Sequence, residues 1–186
     1  MNAPPNIAFS HVGIFVNNLA KMADFYTRFL GFTITDRGKL SNTELVFLSR
    51  DPCEHHQVVL VGGRPSDTPF NVVNQISFRA DSLKTLRELY TRLQSEPVSE
   101  IAPVTHGNAL SVYFRDPEGN RLELFIDTPW YVTQPLRIPI DLSLSDDALW
   151  QSIEALVRDL PGFKSVHAWQ QEMAERIART DSSSAS

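Results

Sequence analysis

A duplicated module limits what this chain can fold into. Tyr26-Thr27-Arg28 recurs 64 positions on as Tyr90-Thr91-Arg92, and at that offset Leu19 matches Leu83, Phe25 matches Leu89 and Phe29 matches Leu93. Arg50-Asp51-Pro52 recurs as Arg115-Asp116-Pro117, at an offset of 65. Two tripeptides in the same order, with matching apolar positions between them, mark two copies of one unit of about sixty residues.

Each copy reads as strand, helix, then three strands. In the first, 8–16 is a strand, and Asn18 caps a helix carrying Leu19, Met22, Phe25, Tyr26 and Phe29 that Gly31 ends. Strands at 32–35 and 43–48 flank a turn at Asp36-Arg37-Gly38, and 56–61 is the last strand. In the second copy, a strand at 72–80 precedes a helix capped by Ser82, followed by strands at 101–104, 111–115 and 121–126. The modules thus span about 8–63 and 72–127 of a domain at 1–128, with a polar connector at 64–70. Strand faces need a covering layer, so the expected fold is α+β, a curved eight-stranded sheet with helices outside. Beyond it, 129–178 is an extended, aromatic-bearing connector and two helices, capped by Ser145 and Ser165. The tail at 179–186, mostly Thr, Asp, Ser and Ala, is expected to be disordered.

The net charge is −5 and no basic block is present, which argues against nucleic acid or an anionic membrane as partner. No apolar run approaches the ~18 residues of a membrane span. The first residues lack the basic segment and long apolar run of a signal peptide. Cys53 is the only cysteine, so no intrachain disulfide forms, and a cytoplasmic location is expected. Sheet edges and amphipathic C-terminal helices suggest a homodimer.

The run from Arg121 to Ile126 alternates, with Leu122, Leu124 and Ile126 on one face and Arg121, Glu123 and Phe125 on the other. A lone mid-strand Glu ordinarily faces solvent. The repeat points elsewhere. At the offset of 64, His11 maps to Gln75 and Val59 maps to Glu123, all on strand-like runs. Two related modules would turn these positions towards one axis. A His, a Glu and an amide so placed suit a metal, and imidazole nitrogen with carboxylate oxygen fits iron(II), manganese or zinc. Three ligands leave coordination positions open for substrate and for dioxygen or water.

Three motifs carry a resemblance across residues 8 to 127: His11-Val-Gly-Ile-Phe-Val16, Phe25-Tyr26 with Leu30-Gly31-Phe32, and Asp116-Pro117-Glu118-Gly119-Asn120 leading to Glu123. In these the chain resembles the vicinal oxygen chelate superfamily of glyoxalase I, bleomycin-resistance proteins and extradiol ring-cleavage dioxygenases. The resemblance implies paired βαβββ modules forming a metal-holding cup. Glyoxalase-like members use all four axis positions as ligands, and Val59 cannot serve as one. Extradiol dioxygenases use three, which matches His11 and Glu123 and sets Gln75 where their pattern has His. The dioxygenase pattern also implies an active-site Tyr at Tyr113, ten positions before Glu123, and an acid–base His at His106. Phe15, Phe125 and Trp130 would form apolar walls, and His55 shares the strand face of Val59.

The implied function is an extradiol ring-cleavage dioxygenase that takes a small catechol-type aromatic and dioxygen, with Fe(II) as cofactor and Mn, Zn or Ni as other candidates. Two alternatives stay open. One is a glyoxalase-type metal-dependent isomerase or lyase. The other is a non-enzymatic small-molecule-binding protein.

Overall fold

The computed structural model describes residues 8–66 and 71–183; within the 64–70 connector, 67–70 lie outside the described residues. In chain order the elements are β1 (Val12–Val16), α1 (Leu19–Arg28), β2 (Thr33–Leu40), β3 (Thr43–Ser49), β4 (Val58–Gly62), β5 (Ile76–Arg79), α2 (Leu83–Leu93), β6 (Ser99–Thr105), β7 (Ala109–Arg115), β8 (Arg121–Asp127), β9 (Trp130–Tyr131), β10 (Ile138–Pro139), α3 (Asp146–Val157), β11 (Lys164–Ser165) and α4 (Val166–Ser183). The fold is mixed α+β, and both modules show the expected strand–helix–three-strand order.

Hydrogen bonding divides the eight module strands between two sheets, β1-β4-β3-β2 and β5-β8-β7-β6, with β10 added at the β6 edge of the second. In each module the first strand pairs in parallel with the last, which completes a ladder within the module. Gly13 pairs with Val59 on β1 and β4, and Ser77 pairs with Glu123 on β5 and β8. These pairs stand 64 positions apart, so the sequence repeat is kept to the residue in the ladder.

The described residues form two compact units: 8–74 with Asp116–Asn120, and Gln75–Arg115 with Arg121 onward. In the first unit, α1 buries Met22, Ala23, Phe25 and Tyr26, and packs on β3 and β4. The Asn18 side chain accepts from the Lys21 N–H at 2.9 Å, as a cap should. Glu118 adds a second anchor: its carboxylate oxygens accept from the backbone N–H groups of Asn17 at 2.7 Å and Asn18 at 2.6 Å. An anion at a helix N-terminus satisfies donors that have no partner within the helix and complements the helix dipole.

One turn lies elsewhere than the sequence suggested. β2 runs through Asp36-Arg37-Gly38 to Leu40, and a bulge between Ile34 and Asp36 absorbs the irregularity. The chain reverses at Ser41-Asn42, where Leu40 pairs with Thr43 and Ser41 has φ 55. A two-residue hairpin turn demands such a positive φ.

In the second unit, α2 buries Leu83, Leu86 and Leu93, and α3, capped by Ser145, buries Leu149, Ile153 and Val157. Ser165 caps α4, accepting from the Ala168 N–H at 3.1 Å. α4 continues to Ser183, so 179–183, expected to be disordered, is helical; 184–186 lie outside the described residues. Arg176, Ala178 and Arg179 are strong helix formers, and the Ser and Thr that follow cost only a few tenths of a kcal/mol each, roughly. Among the described residues no helix is long and apolar enough to cross a membrane.

Candidate active site

Glu123 lies at the centre of a polar cluster in the second unit. It is mid-strand on β8, opposite Ser77 on β5 and Tyr113 on β7. Residues directly across a ladder share a face, so the three side chains meet. Glu123 is 6% exposed, which excludes an ordinary solvated strand carboxylate. Its Oε2 accepts from the Ser77 hydroxyl at 2.5 Å and from the Gln75 amide at 3.1 Å. The Gln75 Nε2 also donates to Ser77 Oγ at 3.1 Å.

The other end of the cluster is His106, in the tight turn between β6 and β7. Gly107, with φ 76, makes that turn, and a Cβ there would run into the Val132 side chain. The following connector holds His106 from outside: the Leu136 carbonyl lies 2.5 Å from Nδ1, and Gln134 Nε2 donates to the His106 carbonyl at 2.7 Å. A carbonyl only accepts, so Nδ1 carries a proton, and in the neutral ring Nε2 is the acceptor. That Nε2 lies 3.0 Å from the Tyr113 hydroxyl and 3.7 Å from Glu123 Oε1. Burial, and after it the hydrogen bond and charge of Glu123, push the Tyr113 phenol up to about 12, so it stays protonated. The result is a line of exchangeable groups, His106–Tyr113–Glu123, with Ser77 and Gln75 at its far side.

Gln75, His106, Tyr113 and Glu123, singled out in the sequence, therefore come together. Ser77 was missed as a member, although strand alternation placed it on the face of Gln75. Phe125 is one rung beyond Glu123 on the same face of β8, under the Arg79 guanidinium, 4.8 Å from its ring centre. Trp130 packs edge-on to Trp150 of α3 at 6.1 Å, a packing contact that its placement as an apolar wall did not foresee.

His11, Phe15, His55 and Val59 belong to the first unit. Phe15 is 54% exposed, and Val59 is buried between Gly13 and Phe47 in the ladder. His55 and His56 precede β4, so strand alternation does not extend to them. His55 Nε2 lies 2.8 Å from Asp36 Oδ2, and its Nδ1 lies 2.8 Å from His56 Nδ1. His56 in turn lies against His11, ring centres 4.2 Å apart. Burial first, and then the charges of His11 and His55, lower His56 below the usual imidazole range.

Residues 8–124 match the model of the Glyoxalase/Bleomycin resistance protein/Dioxygenase superfamily. The chain belongs to that superfamily. Two Rhodococcus globerulus relatives in it are biphenyl-2,3-diol 1,2-dioxygenase 3, 34% identical over 68% of this chain and 66% of its own length, and biphenyl-2,3-diol 1,2-dioxygenase 2, 31% identical over 68% of this chain and 65% of its own length. The matched part thus spans just under two thirds of these relatives. Among solved structures, a glyoxylase/bleomycin resistance protein/dioxygenase domain from Frankia sp. EAN1pec superposes with a TM-score of 0.57 at 22% identity, covering 67% of this chain and 94% of that one. The fosfomycin resistance protein FosX of Listeria monocytogenes, complexed with Mn(II) and sulfate, superposes with a TM-score of 0.53 at 19% identity, covering 65% of this chain and 93% of that one. Both show the shared superfamily fold.

The superfamily includes metal proteins, and the cluster's chemistry fits a cation. Glu123 is a buried carboxylate whose hydrogen bonds come from neutral donors, and such a carboxylate gains from a positive partner. The Gln75 amide donates through its nitrogen, which leaves its carbonyl oxygen as a hard donor. Among the described residues no three His, Cys, Asp or Glu side chains are grouped to hold a metal. Gln75, a candidate ligand of another type, lies within hydrogen-bond reach of Glu123 at 3.1 Å.

Proposed function

We propose that the protein is a metal-dependent extradiol ring-cleavage dioxygenase that opens a catechol-type aromatic with dioxygen, with iron(II) as its metal. The observation that carries this reading is the His106–Tyr113–Glu123 line. The names of the relatives, biphenyl-2,3-diol 1,2-dioxygenases, support the same reaction class. His11, Gln75 and Glu123 would hold the metal, on the strength of the superfamily motifs and the 64-residue register. When bound, iron(II) would supply Lewis acidity towards the diol and a path for electrons from the diol to dioxygen, the diol being the species oxidised.

The remaining roles fall to the chain's own side chains. A catechol must lose protons to chelate, and His106 Nε2, held as an acceptor by the Leu136 carbonyl, is placed to take one and later return it. Tyr113 keeps its proton and offers it as a hydrogen bond to an oxygen that gains negative charge. Ser77 and Gln75 fix the Glu123 carboxylate by occupying Oε2. On the strength of the same superfamily motifs, Phe15, Phe125, Trp130 and Val59 would supply apolar surface, and His55 would contact substrate. We extend the proposal to a cytoplasmic homodimer.

The test is elemental mass spectrometry of the protein loaded anaerobically with iron(II), beside Glu123→Ala, followed by oxygen uptake with catechols. Stoichiometric iron lost in the variant, with ring opening in air and none under nitrogen, is the expected result. Turnover without dioxygen would replace this reading with the isomerase or lyase. Absence of metal binding would replace it with a sequestering protein.

A further inference from the structure

A cavity of about 290 Å³ opens beside Tyr113 in the second unit, and its walls hold three arginines, Arg115, Arg121 and Arg137, against one acid, Glu100. Arg115 and Glu100 neutralise each other at 2.7 Å. Arg121 and Arg137 have no carboxylate partner among the described residues. Their guanidinium carbons stand over the Tyr113 ring, 5.1 and 5.4 Å from its centre. Both guanidinium groups line this cavity, and the ring's quadrupole stabilises each by only about 0.5–1 kcal/mol at exposed sites. An anion in the cavity would complement their charge, and guanidinium groups bind carboxylates through paired, charge-assisted hydrogen bonds.

The ladder places this cavity one step from the Glu123 cluster. Arg121 and Glu123 are two residues apart on the same face of β8, about 7 Å along the strand. Across from them on β7 stand Arg115 and Tyr113. A ring with its hydroxyls at the Glu123–Tyr113 end would direct a substituent towards Arg121 and Arg137. We infer that these two arginines bind an anionic substituent, so that the substrate is a catechol bearing a carboxylate. This rests on the dioxygenase reading above and goes beyond it, since the biphenyl diol in the relatives' names carries no charge.

The experiment compares 3,4-dihydroxybenzoate with its methyl ester as substrates of the iron(II)-loaded protein, and titrates benzoate calorimetrically into the same protein. The proteins are the wild type, the double variant Arg121→Gln/Arg137→Gln and the double variant Arg121→Lys/Arg137→Lys. The expected kcat/KM ratio of acid to ester is at least about tenfold in the wild type. It should fall towards one in the Gln variant and be partly kept in the Lys variant, while benzoate binds at least about tenfold more weakly to the Gln variant. Equal turnover of acid and ester in the wild type, or a preference that survives both Gln substitutions, overturns the inference and leaves the dioxygenase reading standing. Failure of both diols to turn over sinks the dioxygenase reading for them. Benzoate binding then decides the anion site alone: saturable binding lost in the Gln variant supports it, and its absence in the wild type overturns it.

Discussion

In the second module the rung through Glu123 joins it to Ser77 on one side and Tyr113 on the other; in the first, the corresponding rung joins Val59 to Gly13 and Phe47. Strand order, pairing direction and register are the same, so the backbone is indifferent to what stands there. One rung is apolar and asks nothing of its neighbours. The other buries a carboxylate and needs donors on both sides to hold it. The difference lies in side chains alone, on a ladder that carries either. The modules also differ at the turn: Glu118 of the second corresponds at the offset of 65 to Cys53 of the first, and only Glu118 reaches the head of α1.

The largest effect should come from making the second rung like the first. Glu123→Val should lower kcat/KM by about 10³-fold, several kcal/mol of barrier, and abolish iron loading. The unfolding midpoint should not fall, because the substitution removes a buried charge and Val59 shows that valine fits the same rung. Metal content and thermal unfolding, measured on one preparation, check both halves. Stoichiometric iron in the variant would mean that Glu123 is no ligand, and the contrast between the rungs would lose its functional meaning.

Tyr113→Phe, the residue of the first rung, should cost less. It removes one hydrogen-bond donor and keeps the ring under the arginines, so kcat should fall by about 10²-fold with KM little changed. Because Tyr113 titrates only near about 12, its contribution should be independent of pH across the neutral range. Rate profiles of the wild type and the variant should therefore run parallel between about pH 6 and 9. Converging profiles would show Tyr113 acting as a titrating base.

Much of this contrast is legible in the sequence. The offset of 64 named Gln75 and Glu123, and alternation put Glu123 on the face opposite Leu122 and Leu124. Caps at Asn18, Ser82 and Ser145 were readable because each depends on one side chain and the next turn of backbone. What escaped depends on three dimensions. Ser77 is unremarked until a parallel strand brings it across from Glu123. Arg137 lies in a connector with no periodicity, so nothing local ties it to Tyr113. The turn at Ser41-Asn42 lost to the stronger local signal of Asp36-Arg37-Gly38, which the bulge absorbs into β2. His55 and His56 lie before β4, where strand alternation has no force.

The contrast between the turns predicts an effect on stability. Glu118→Ala removes two charge-assisted bonds to the backbone N–H groups of Asn17 and of the cap Asn18, just ahead of α1, worth about 1–2 kcal/mol together. In a chain of this size the unfolding midpoint should drop by about 2–4 °C for each kcal/mol lost. Glu118→Gln should recover part of that, since an amide oxygen still accepts one N–H. Metal content should not change in either variant. A loss of metal with an unshifted midpoint would assign Glu118 to the site and not to the helix.

The smallest effect concerns Asp116, which locks the same turn by accepting from the Glu118 and Asn120 N–H groups, both at 2.9 Å, and from the Asn120 amide at 2.7 Å. Burial raises its pKa, and these hydrogen bonds only partly oppose the rise. The native carboxyl therefore holds its proton more tightly than the unfolded chain does. Between the two values the native state binds more protons, so stability falls as pH rises through that window. The contribution is complete below the unfolded value and lost above the folded one. Denaturant unfolding of the wild type and Asp116→Asn at stepped pH from neutral downwards should show the wild type gaining on the variant as the solution is acidified. The counterpart, Asp51, is exposed, and there the bond from the Cys53 N–H at 2.8 Å closes a turn without burying its acid. If the wild type instead lost ground to Asp116→Asn on acidification, hydrogen bonding to the ionised carboxylate would outweigh burial, and Asp116 would act as an anchor for the turn in its charged form.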